Sequence, residues 1–397
     1  MNIAIPADVT QIIDTLTASG HEAYIVGGCV RDSIMGVVPK DWDITTSATP
    51  QQVIEIFPRT FETGIKHGTI TVLIGRQGYE VTTYRIDGIY LDSRRPQSVM
   101  FTTNIEEDLS RRDFTMNAIA YNPSCGFVDP FGGQADIAKK IIRCVGNADC
   151  RFGEDALRML RAVRFAGQLG FAVDYSAIEA IKARCASLAN ISAERIRDEL
   201  VRLITSPYVS AVDLLETTGL LPYIMVGHTF DGGEGLRQTI HLLNKCPMQA
   251  NLRLAVFLAC SGGDCKKILR DLRFDNKTIR EVGLYVDWLH TAIYHSRYEI
   301  KKYLRQMPHD YFENLLILKS IFYPNDISKL KAIRDEALDI QVSGECYTMR
   351  DLLVNGEDLA AAGIPRGKEI GDKLEEILDA VMRDPSKNKY FYEHYRK

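Results

Sequence analysis

The sequence predicts an α+β fold, with a mixed-sheet N-terminal domain followed by an all-helical remainder. Three observations lead there. Thr69–Ile74 and Tyr79–Tyr84 are β-branched and alternating, and Gly75–Gly78 between them supplies the turn of a hairpin. Shorter strand-like runs such as Tyr24–Val26 interleave with helical patterns at Pro50–Phe57 and Phe114–Ala120. From about Cys150 onward, leucine, alanine, arginine and glutamate recur at helical spacing and β-branched alternation nearly vanishes. A break inside the helical part is expected over Gly227–Gly235, where Asp231–Gly232–Gly233 falls.

Composition narrows the class further. At 46% hydrophobic and 25% charged residues, the 397-residue chain excludes a disordered or collagenous protein. Its net charge of −4 excludes a polybasic nucleic-acid binder, so any basic surface is local. Nine scattered cysteines without a CxxC pair fit a reducing compartment better than a disulfide framework. With no signal-peptide pattern and no run of 18 apolar residues, a soluble cytoplasmic protein is expected.

The chemistry is concentrated in a few motifs. Gly27–Gly28 follows a strand and opens a helix, where backbone N–H groups approach a phosphate closely, and Arg31 adds a charged donor. Asp41 and Asp43 are spaced i, i+2. On a strand they share one face, with Trp42 on the other, and a hard cation such as Mg²⁺ relieves their repulsion. Glu80, inside a β-branched strand, reads either as a third acidic residue near the metal or as a solvent-facing edge position. Arg111–Arg112–Asp113 opens an apolar helix as either a solvated basic face or a triphosphate clamp. Asp155, Arg158, Arg161 and Arg164 step by three, forming one polar ribbon on a helix; an internal Asp155–Arg158 salt bridge is the plainer reading.

Together, GGCVRD followed by DWD, then RRDFTMNA, then EDALRMLRAVRF, resemble the class II tRNA nucleotidyltransferases of the polymerase-β superfamily. The resemblance is dense over residues 20–200 and continues weakly at Val354–Leu359, Gly363–Ile364 and Gly371. It implies a nucleotidyltransferase head (1–145), a helical neck (146–225), and a helical body and tail (226–397). It also implies Mg²⁺ on Asp41 and Asp43, with Glu80 in the catalytic group. Gly28, Arg31 and Arg112 meet the triphosphate. Asp155 and Arg158 of the EDxxR motif read the base, with Arg161 and Arg164 as further nucleotide contacts. The implied activity is template-independent addition of CCA, from CTP and ATP, to the 3′ end of tRNA.

Hydrogen-bond chemistry is consistent with that base reading. Cytosine and adenine each present an exocyclic amine donor beside a ring-nitrogen acceptor. One carboxylate and one guanidinium match both, whereas uracil and guanine reverse the order. The rivals are an A-adding or CC-adding enzyme, a bacterial poly(A) polymerase, and a silent RNA-binding module. Thr63–Thr69 and the loop Asp87–Pro96 resemble the full CCA-adding version, and the intact DxD pair argues against a silent module. His309–Asp310 lacks histidine partners at ligand spacing, so no phosphatase is expected. Lys301–Arg305 and Lys387–Lys397 interleave basic and aromatic residues, either as tRNA contacts or as solvated faces.

Overall fold

The computed structural model describes residues 2–88, 99–226, 230 and 232–396. The chain divides into two compact units. The first comprises Met1–Ile240, Ser261–Gly263 and Ile268–Phe274; the second comprises His241–Cys260, Asp264–Lys267 and Asp275–Lys397.

In the first unit, helix α1 (Ala7–Ala18) buries Val9, Ile12, Ile13 and Leu16, the one face that helical spacing provides. Strand β1 (Ala23–Val26) is buried throughout and leads into the short helix α2 (Gly28–Ile34). After β2 (Ile44–Thr46), helix α3 (Pro50–Ile56) begins at a Thr49–Gln52 capping box with proline in its first turn. Strands β3 (Thr60–Gly64), β4 (Thr69–Ile74) and β5 (Gln77–Thr83) follow, and β4–β5 is the expected hairpin, with Val72 paired to Tyr79. A small hairpin pairs β6 (Arg85–Asp87) with β7 (Val99–Phe101). The loop Asp87–Pro96 lies outside the described residues beyond Gly88.

Helix α4 (Ile105–Ser110) precedes β8 (Ala120–Asn122) and β9 (Gly126–Val128). The seven-stranded sheet runs β3-β4-β5-β2-β1-β8-β9. Only β2 and β5 pair in parallel, which makes the sheet mixed. Helices α5 (Gly133–Lys139), α6 (Ala148–Glu154), α7 (Leu157–Leu169), α8 (Tyr175–Arg184) and α9 (Ala193–Ile204) complete the part that positions the site. Gly167 lets α7 approach α9: a Cβ there would lie 2.5 Å from Ser206 Oγ and 2.9 Å from Leu203 Cδ1.

Three local expectations change. Phe114–Ala120 is not a helix: Phe114 bridges Cys144, a 3₁₀ turn covers Thr115–Asn117, and the chain enters β8. Thr115 N donates to Arg143 O and Val145 N to Asp113 O, so pairing with the 143–145 strand segment replaces helical bonding. Asp41 and Asp43 lie in the bend just before β2 rather than on a strand. Asp155 leaves the helix, with extended backbone between α6 and α7, so the four-residue ribbon is interrupted at its first member.

The second unit is helical. Helices over Lys368–Arg383 and Gly356–Ala361 close a core of Val354, Leu359, Ile377, Leu378, Val381 and Met382. Lys301 is buried, donating to Met382 O at 3.0 Å and pairing with Glu345 at 2.6 Å, and Tyr303 is also buried. Within 301–305, Lys301, Tyr303 and Leu304 therefore belong to the core, while Lys302 and Arg305 reach the surface. The C-terminal helix Lys387–Tyr395 keeps Tyr390 exposed. Residues 227–229 and 231 of the expected break lie outside the described residues, and a helix begins at Gly232. No helix among the described residues is long and apolar enough to cross a membrane.

Candidate active site

The turn between β1 and α2 brings the glycine pair to the DxD carboxylates. Val26 N donates to Asp43 O at 3.0 Å, which ties the DxD bend to the end of β1. Gly27 has φ +80° and ψ −127°, a conformation that residues with a Cβ rarely adopt. A Cβ there would also lie 3.2 Å from Arg112 Nη1. Gly27→Ala therefore stores about 1–3 kcal/mol of backbone strain and displaces that guanidinium. Steady-state kinetics should show nucleotide KM rising about tenfold.

A cleft of about 470 Å³ opens over this turn. Its lining brings together Gly27, Gly28, Arg31, Asp43, Arg112, Asp155, Arg158 and Arg161 from segments far apart in sequence. Arg111 and Arg195 bring its arginines to six. Each is held by a fixed partner. Arg31 Nη1 donates to Asn117 Oδ1 at 2.7 Å, and its Nε and Nη2 to Asp32 Oδ1. Arg161 forks onto Asp113 Oδ2 at 2.9 and 2.6 Å. Although burial works the other way, the Arg161 guanidinium pushes the Asp113 carboxyl down to about 2. Six guanidiniums facing one cleft offer a bed of N–H donors suited to a polyphosphate.

Asp108 organises two of them. It is fully buried, and accepts from Arg111 at 3.0 and 2.7 Å and from Arg112 at 3.1 Å. Thr45 Oγ1 and Arg85 N also donate to it, each at 3.3 Å. Burial raises its carboxyl, but the Arg112 and Arg111 charges outweigh this and hold it below the ordinary value. Arg112 Nε is buried with no hydrogen-bond partner among the described residues.

Asp155 and Arg158 are not each other's partners. Asp155 accepts from Arg195 Nη2 at 2.7 Å and Nη1 at 3.3 Å, and its Oδ1 caps α7 by accepting Leu157 N at 3.0 Å. Arg158 Nη1 donates to Glu154 Oε2 at 2.5 Å, and its Nη2 to Arg111 O at 3.1 Å. The internal salt bridge read from the i, i+3 spacing is therefore replaced by two separate pairs, and both residues line the cleft.

Arg164 is not brought to the cleft. It is buried behind it, paired with Glu199, donating to Gln168 Oε1 and lying 3.8 Å above the Phe165 ring. Phe165 itself lines the cleft, so Arg164 touches it from behind.

Asp43 also lines a second cleft, of about 780 Å³, together with Asp41 and Glu80. Asp43 stays open to solvent, yet lost hydration raises its carboxyl above the ordinary value. Asp41 adds to that effect and Arg112 opposes it. A strained carboxylate beside a like charge is one that a cation relieves. The donor set is hard oxygen, which suits a divalent ion completed by substrate phosphates. Among the described residues no group of three acidic, His or Cys side chains forms a metal cage. Glu80 therefore shares the cleft with the DxD pair without forming a three-carboxylate cage.

Sequence reasoning missed Asp108, Asn117 and Arg195. Asp108 carried a signal, its i+3 and i+4 spacing to Arg111 and Arg112. Arg195 carried none, as it reaches Asp155 across 40 residues.

The fold and cleft define a nucleotidyltransferase head carried on helices. Residues 23–143 match the Poly A polymerase head domain, 170–229 the RNA and SrmB binding site of polymerase A, and 248–390 the tRNA nucleotidyltransferase domain 2. A CCA-adding enzyme of Geobacillus kaustophilus is 38% identical, covering 94% of this chain and 90% of its own. One from Geobacillus thermodenitrificans is 46% identical over 68% of this chain and 67% of its own. The crystal structure of the Bacillus stearothermophilus CCA-adding enzyme in complex with CTP superposes with a TM-score of 0.80. It is 34% identical and covers 94% of this chain and 92% of that one. The chain belongs to the CCA-adding enzyme family, nucleotidyltransferases that generally use a divalent metal.

Proposed function

We propose that the protein completes the 3′ end of tRNA by adding CCA, taking CTP and ATP in turn with Mg²⁺ and no nucleic-acid template. The observation that carries this reading is the convergence, in one cleft, of the Gly27–Gly28 turn, Asp43, Asp155 and six arginines, Arg158 among them. Arg31, Arg111, Arg112 and Arg161 hold the triphosphate. Asp155 accepts from the exocyclic amine of cytosine or adenine, and Arg158 donates to the adjacent ring nitrogen. The Arg195 and Glu154 ion pairs limit the freedom of these two side chains before the base arrives. Asp41 and Asp43 would hold Mg²⁺, which would supply activation of the attacking hydroxyl and neutralisation of charge on the leaving pyrophosphate.

The test uses tRNAs ending before the CCA, after the first C and after CC, with each NTP offered singly and in pairs. The expected products are C on the first two substrates and one A on the third. Addition of A alone would indicate an A-adding enzyme, and long runs of A a poly(A) polymerase.

The loop within 87–96 carries a separate expectation. Shortening it should leave CC addition and remove the terminal A. Equal loss of C and A on the same three substrates would refute a switching role.

A further inference from the structure

Three guanidiniums gather on one neutral ring. Phe165 lies on α7, is buried, and lines the arginine cleft. Arg164 stands 3.8 Å from its centroid, Arg31 5.3 Å and Arg161 5.4 Å. All three fall within the distance of about 6 Å at which a cation is attracted to the face of an aromatic ring. Arg161 and Arg164 share the helix of the ring, whereas Arg31 comes from α2, far earlier in the chain. Phe114 meets the ring edge-on, with centroids 5.7 Å apart and planes at 85°, which limits its movement.

Such a ring suits a polyphosphate site for an electrostatic reason. A carboxylate fixes a guanidinium but places a negative charge beside the triphosphate. An aromatic face attracts the same guanidinium through its quadrupole and carries no net charge. Beyond their carboxylate partners Asp32 and Asp113, Arg31 and Arg161 have this ring as a common second anchor. Arg164, paired with Glu199 and absent from the cleft lining, meets the cleft only through the ring.

We propose that Phe165 is a positioning residue for nucleotide binding: its ring fixes Arg31 and Arg161 for the triphosphate, and Arg164 seats the ring. The proposal rests on the triphosphate assignment made above.

The test changes the charge distribution of the ring and keeps its shape. Fluorine drains electron density from an aromatic face with little change in size, so each added fluorine weakens the pull on a cation while packing is kept. Mono-, di- and trifluorophenylalanine are placed at position 165. The Kd for CTP, read by calorimetry in Mg²⁺, should rise stepwise and reach about three- to tenfold with the trifluoro ring. On tRNA ending in CC, the KM for ATP should follow the same series, while the KM for that tRNA stays within about twofold. The preference for CTP over UTP should hold, because Asp155 and Arg158 are anchored elsewhere, on Arg195 and Glu154. Phe165→Leu, apolar but without a ring, should lose at least as much CTP affinity as the trifluoro variant. A Kd that is flat across the fluorinated series overturns the proposal and leaves Phe165 an ordinary core ring, whatever Phe165→Leu does. So does a tRNA KM that rises in step with the nucleotide KM. If the wild-type protein adds no nucleotide to any tRNA, the transfer reading fails, and the CTP-binding series still decides the role of the ring.

Discussion

Asp43→Ala and Asp41→Ala should each abolish addition of both C and A while tRNA binding survives. In the proposed assignment the two carboxylates would hold the cation that offsets charge on the reacting phosphate, a contribution of several kcal/mol. Its loss corresponds to a fall in kcat of about a thousandfold or more. The same residue should behave oppositely in a stability assay. Folding raises the Asp43 carboxyl because lost hydration outweighs the opposing Arg112 charge, with Asp41's charge adding to the rise, so its ionised form is disfavoured in the native protein. Asp43→Asn should therefore unfold at the same temperature as the parent or higher. Near-normal turnover in Mg²⁺ would contradict the metal assignment, and a large fall in Tm would show that Asp43 is part of the framework.

The second large effect is expected at Asp108, where the signs reverse. Removing this fully buried carboxylate leaves Arg111 and Arg112 without their shared partner. Breaking a buried pair in this way costs about 3–5 kcal/mol. For a unit of this size each kcal/mol lowers Tm by about 2–4 °C, so Asp108→Ala should melt on the order of 10 °C lower. Nucleotide KM should rise as well, because both arginines line the cleft. The pH dependence follows from the depressed carboxyl. Its stabilisation is fully present above the ordinary value of 3.8 and is lost as pH falls through the lower folded value. Asp108→Asn should lack that component, so its Tm should fall less steeply than the parent's in this acid range. A variant with parent-like Tm and KM would show that the arginines are held by other contacts.

Much of the site was legible because its chemistry is local. A glycine pair between strand and helix, two aspartates one residue apart and a run of arginines each announce a ligand type in a short window. The hairpin was legible for a similar reason, since β-branched alternation around a glycine turn has few other solutions.

The failures came where distant groups decide the outcome. Phe114–Ala120 has helical composition, but its backbone is claimed by residues 143–145. Asp155 fits a helix by spacing, yet its side chain caps the next helix and its charge is claimed by Arg195. Arg164 shares the spacing of Arg158 and Arg161, but Glu199 draws it behind Phe165. Lys301 looked like a surface base until Glu345 and the Met382 carbonyl gave it a buried partner set.

The central claim is that protein side chains, chiefly Asp155 and Arg158, do the work of a template. The most direct measurement is kcat/KM for all four NTPs on a tRNA ending at the discriminator base and on one ending in CC, for the parent and for Asp155→Ala. The parent should favour CTP over UTP on the first and ATP over GTP on the second. A hydrogen bond to a charged group contributes about 1.5–3 kcal/mol. Asp155→Ala should therefore narrow both ratios by about 10- to 100-fold. Its Tm will also fall, because the Arg195 pair and the α7 cap are lost with the carboxylate. Unchanged nucleotide ratios alongside that lowered Tm would contradict the claim and leave Asp155 a purely structural residue.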